Sequence, residues 1–128
     1  MLIAAVVFAG LAALVHVYIF VLETLRWEAP ATRRIFGTSE RDARITKPLA
    51  ANQGVYNLML AIVTIVGIAL SVAVPSAGTA LMLAGTGSML GAALYLAATD
   101  RTKLRPATTQ GTFPLLAVLF TTLALVLG

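Results

Sequence analysis

His16-Val17-Tyr18-Ile19-Phe20-Val21-Leu22-Glu23-Thr24-Leu25-Arg26-Trp27 closes an apolar run that begins near Leu2 and meets no charged side chain before Glu23. About twenty such residues, at ~1.5 Å each, match a ~30 Å hydrocarbon core, so the run reads as a membrane-spanning helix. A dozen or so Leu, Ile, Val and Phe side chains contribute roughly −0.3 to −0.6 kcal/mol each on insertion and outweigh the about +3 kcal/mol of one central charge. The only histidine of the chain, His16, is therefore tolerated inside the span. No Lys or Arg precedes Arg26 and the run is too long for a leader's apolar core, so it is expected to be retained. At about 100° per residue, His16, Phe20, Glu23 and Trp27 fall within roughly 60° of one helix face. A face carrying an imidazole, a carboxylate and two aromatic rings is too polar for lipid and should look inward.

The rest of the chain fits that start. Of its 128 residues 59% are hydrophobic and 11% charged, against about 25% charged in soluble domains. The mean hydropathy of +0.94 agrees. This predicts an all-α integral membrane four-helix bundle, residues 1–128 forming a single membrane domain. Spans are expected at about 2–23, 49–74, 79–99 and 112–127, with basic connections at about 24–48 and 100–111. Ser39 and Asp42 are spaced as a capping box and predict a short helix from about Glu40 to Thr46, ended by Lys47-Pro48. Pro75-Ser76-Ala77-Gly78 reads as a tight turn. The third span repeats Ala84, Ser88 and Ala92, and also Gly87 and Gly91, at four-residue spacing; packing inside the bundle is the first expectation and a homodimer through Gly87 and Gly91 the second. The fourth span, at about sixteen residues, covers only ~24 Å.

All nine Lys and Arg lie in the two basic connections. These are on one side if there are four spans, and the positive-inside rule then places them in the cytoplasm and both termini outside. The same rule accounts for the net charge of +4, so no nucleic acid is expected as a partner. Absent cysteine excludes disulfides, thiolate metal sites and Cys nucleophiles, and one histidine leaves too few ligands for a typical zinc or copper site. There is no phosphate-binding glycine loop and no nucleophile elbow, so neither metal nor other cofactor is expected.

With this topology the polar residues of the spans share one depth. Glu23 and Trp27 close the first helix, Asn52, Gln53, Tyr56 and Asn57 open the second, Tyr95 and Asp100 close the third, and Gln110 precedes the fourth. Polar side chains in a membrane are costly unless they pair or line a wet cavity, which predicts a pocket on the cytoplasmic side with His16 at its floor. In that pocket Glu23 and His16 are the expected acid and base. Asn52, Gln53 and Asn57 would orient a ligand, Phe20, Trp27 and Tyr56 would wall it, and Tyr95 and Gln110 would complete the lining. Each residue also has a structural use: His16 as a helix-register hydrogen bond, Glu23 as a partner of a nearby arginine, Trp27 and Tyr95 as interfacial rings, and Asp100 in a surface ion pair with Arg101.

Four segments carry a resemblance to a known family. They are His16-Val17-Tyr18-Ile19-Phe20-Val21-Leu22-Glu23 with Trp27, then Phe36-Gly37, then Leu49-Ala50-Ala51-Asn52-Gln53-Gly54-Val55-Tyr56-Asn57, and finally Gln110-Gly111-Thr112-Phe113-Pro114. In order and spacing they resemble the small membrane proteins of domain-of-unknown-function family thirteen-oh-four, although Thr112-Phe113-Pro114-Leu115 departs from the Leu-Pro-Ala type of ending. The resemblance implies four spans in a bacterial cytoplasmic membrane and no stated activity. Three functions are expected. The first is binding or acid/base conversion of a lipophilic small molecule, the second a proton-coupled transporter or channel, and the third a non-catalytic scaffold that binds another membrane protein through Gly87 and Gly91; membrane lipid is the expected surrounding partner.

Overall fold

The computed structural model describes residues 1–128. Helix α1 (Leu2–Phe20) continues into a π-turn (Val21–Leu25), followed by α2 (Pro30–Phe36), α3 (Glu40–Ala73), α4 (Pro75–Thr99), a 3-10 turn (Arg101–Lys103) and α5 (Leu104–Leu127). The four long helices each carry a window apolar enough to cross a membrane. They pack in a square: α1 lies beside α3, α3 beside α4, α4 beside α5, and α5 closes back on α1. Between 22% and 33% of the residues in each apolar window are buried, so most of that surface points outward, as a multi-pass membrane protein requires.

Small residues let the helices approach. Ala5, Ala9, Met82 and Ala117 form the core of the half remote from the charges, where Phe8 stacks on Phe120 at 5.5 Å. A Cβ on Gly67 would lie 2.6 Å from the backbone nitrogen of Met82, and one on Gly78 2.5 Å from the Cα of Ser71. Only glycine permits backbones that close. The hydroxyls of this half are satisfied inside their own helices: Thr64 donates to Leu60 O, Thr79 to Pro75 O, Thr86 to Met82 O and Thr121 to Ala117 O.

Several boundaries differ from the sequence expectations. The third-span repeat does not pack inside the bundle: Ala84, Ser88, Gly91 and Ala92 are exposed, and nothing lies within 4 Å of a Cβ built on Gly87 or Gly91. The inward face of α4 is instead Gly78, Met82, Gly85, Met89 and Ala93, about 100° away. Helix α3 does not stop at Lys47-Pro48 but runs on from its Ser39 cap, whose side chain accepts from Asp42 N–H at 3.1 Å. Pro48 removes one donor, and the carbonyl that loses its partner belongs to Arg44, an exposed residue. The expected Pro75–Gly78 turn shrinks to Val74, with Pro75 already in the first turn of α4. Likewise α5 begins at Leu104 and passes through Pro114, giving 24 residues and ~36 Å, enough to span without thinning. The second basic connection is therefore only Asp100–Lys103.

Candidate functional site

Glu23 does not sit on a regular helix. Arg26 N–H donates to Val21 O at 3.0 Å, five residues back, so α1 ends in a π-turn. Such a turn inserts one extra residue and changes the helical phase, so Glu23, inside it, and Trp27, past the helix end, do not continue the regular face of His16. The turn is seated against α3. Thr24 Oγ1 donates to Ala51 O at 3.0 Å, and a Cβ on buried Gly54 would overlap that Thr24 hydroxyl and lie 3.1 Å from the Thr24 nitrogen. Beside this contact, Asn57 Nδ2 donates to Glu23 Oε2 at 2.9 Å and to Gln53 O at 3.1 Å. No protein donor occupies Glu23 Oε1, which remains free to accept from a bound molecule.

The ordered connection builds a cleft over this turn. Trp27 Nε1 donates to Thr46 Oγ1 at 3.1 Å, and the Trp27 ring meets Phe36 at 5.0 Å and a 60° tilt. Helix α2 starts on Pro30 and stops at Gly37, whose φ of 64° is the left-handed cap glycine supplies. Lys103 Nζ donates to Phe36 O and so ties the end of α2 to the α4–α5 connection. Lys47 and Glu28 add an ion pair at 2.5 Å. The result is a cleft of about 360 Å³, within the usual range for small-molecule sites, walled by Trp27, Phe36 and Leu49 and edged by Glu23, Asp42, Gln53 and Lys103. Asp42, Thr46, Leu49, Ala50 and Gln53 supply its α3 wall at helical spacing.

Of the residues singled out from sequence, Glu23, Trp27 and Gln53 line this cleft and Asn57 holds Glu23. His16 is buried in the bundle, about 10 Å along the helix from Glu23, and its Nδ1 donates to Ala12 O at 2.9 Å, a bond within its own helix. It is not part of the cleft lining. Phe20 and Gln110 are half-buried outside that lining, and Asn52, Tyr56 and Tyr95 are exposed on outward faces. Consecutive Asn52 and Gln53 are about 100° apart, so they cannot both face inward. Asp100 makes no ion pair with Arg101; it caps the 3-10 turn, accepting from Thr102 Oγ1 and Thr102 N–H, and these bonds hold its carboxyl below the usual aspartate range.

Sequence reading missed Phe36, Thr38, Asp42, Thr46 and Lys103. The signal for two of them was present: Asp42 and Thr46 lie on the Ala50–Gln53–Asn57 stripe once the helix is allowed through Pro48. No group of His, Asp or Glu is arranged to hold a metal ion.

A family model described as "Protein of unknown function (DUF1304)" matches residues 10–122. No curated protein and no solved structure matches.

Proposed function

From the premise that the chain belongs to the DUF1304 family, whose description assigns no activity, we propose that this protein binds a lipophilic small molecule in the Glu23–Trp27 cleft. The observation that supports this most is the conjunction of aromatic walls and a carboxylate oriented by Asn57 with one oxygen free, in a cleft at the end of an apolar bundle. Trp27, Phe36 and Leu49 take the apolar part, and Glu23 and Gln53 hold the polar end. Glu23 offers its free carboxylate oxygen to the polar end of the ligand, while His16 serves the bundle. The positive-inside rule favours a cleft that opens on the cytoplasmic face, with both termini outside, and the family resemblance suggests that the membrane is a bacterial inner one.

The test is mass spectrometry of extracts from protein purified out of its native membrane. A co-purifying amphipathic species is expected with the wild type and absent with Gln53→Phe, which fills the cleft from an exposed position. Identical extracts from the two proteins would overturn the proposal.

A further inference from the structure

The acidic residues of this chain are distributed unevenly relative to its nine cations. Of five carboxylates, Glu28 pairs with Lys47, Glu40 pairs with Arg44 and Asp100 caps Thr102. The remaining two, Glu23 and Asp42, make no ion pair, and both line the cleft. All nine Lys and Arg lie at the same end of the bundle, yet only Lys103 reaches the cleft, and its ammonium is directed at the Phe36 carbonyl. The cleft is thus locally acidic within a basic surface. Its aromatic rings, Trp27 and Phe36, are both half-buried and meet at a 60° tilt rather than stacking flat. Aromatic faces beside carboxylates recognise ammonium groups, and an anionic head would meet two unpaired carboxylates instead.

We infer that the ligand of this cleft is an amphiphile with a positively charged amine or quaternary ammonium head, seated against Trp27 and Phe36 with Glu23 and Asp42 as counter-charges. The inference rests on the binding reading above and adds to it the sign of the ligand. A fatty acid or a phosphate monoester of similar size would meet Glu23 and Asp42 and is expected to bind less well. The apolar chain runs from the cleft along Leu49 toward the lipid.

Trp27 is the only tryptophan, so its emission reports on the cleft without labelling. The protein in dodecyl maltoside micelles is titrated with octyltrimethylammonium, octyl sulfate and octyl glucoside, each below its own micelle concentration. Octyltrimethylammonium is expected to shift the emission saturably, and the other two are not. Glu23→Gln keeps an oxygen for Asn57 and is expected to weaken binding about tenfold through loss of a partly buried counter-charge. Asp42→Asn, exposed and remote from the bundle core, is expected to weaken it about two- to fourfold. Glu40→Gln, outside the cleft, leaves it unchanged. Equal responses to all three amphiphiles would overturn the charge assignment while leaving the binding site in place; no response to any of them would overturn both. Wild-type affinity in Asp42→Asn together with Glu23→Gln would also overturn the assignment.

Discussion

The two ends of this bundle differ in what they add to the hydrogen bonds made within each helix. In the half remote from the charges, Thr64, Thr79, Thr86 and Thr121 all donate to a carbonyl one turn back in their own helix. The charged half has such bonds too, at Thr46, Thr99, Thr108, Thr109 and Thr112, but adds bonds that cross between elements: Thr24 to Ala51, Asn57 to Glu23, Trp27 to Thr46, Lys103 to Phe36. At Gly67 and Gly78 of the remote half the backbones of α3 and α4 close on one another and leave no gap between those two helices. Cross-element bonds instead depend on one relative placement of α1, α2 and α3, and they frame a cleft. His16 falls with the first group, since its bond to Ala12 is of the self-satisfied kind.

The sharpest way to break this comparison is to damage one half and observe the other. Gly67→Ala should destabilise the bundle most, by about 1–3 kcal/mol, because the new methyl meets the backbone of Met82 rather than a movable side chain. Unfolding in mixed micelles measures this, with Gly91→Ala, which faces open space, expected within about 0.5 kcal/mol of wild type. Gly54→Ala is next. Its methyl displaces the Thr24 hydroxyl from Ala51 O, costing about 1–2 kcal/mol, and unlike Gly67→Ala it should also change Trp27 emission, because the π-turn carrying Glu23 and Trp27 shifts. A Gly54→Ala protein with wild-type stability and emission would remove the link between close packing and the cleft.

The smallest effect belongs to Asp100. Its folded carboxyl is held below the usual range, so ionisation favours the folded state above that range, and the contribution is lost as pH falls through the folded value. The unfolding midpoint of wild type should therefore decline on acidification slightly more than that of Asp100→Asn. Parallel profiles would show that the Thr102 cap contributes nothing.

Much of the fold is legible in hydropathy alone, because four apolar stretches of spanning length have few other solutions. Element ends are less so, and prolines are the reason. Pro48 and Pro114 each look like helix starts, but a helix tolerates one missing donor where the freed carbonyl belongs to an exposed residue, as at Arg44. Cutting α3 at Pro48 concealed the stripe that joins Asp42 to Asn57. Helix α2 carries too short a pattern to announce itself. Glu23, Trp27, Gln53 and Asn57 could be found from their polarity in an apolar context. The seven residues, about 10 Å, between His16 and Glu23 were legible as well; the direction in which Glu23 leaves the helix was not, because the π-turn at Val21–Leu25 has no sequence signature of its own.

The central claim is that Glu23 is reached through the cleft and acts independently of His16. A lipophilic carbodiimide, which leaves a stable adduct on a carboxyl shielded from bulk water, tests it directly in intact membranes. Peptide mapping should find the adduct on Glu23 in the wild type and in His16→Ala, and lose it in Gln53→Phe. An unmodified Glu23 in the wild type, or an adduct abolished by His16→Ala and untouched by Gln53→Phe, would contradict the account.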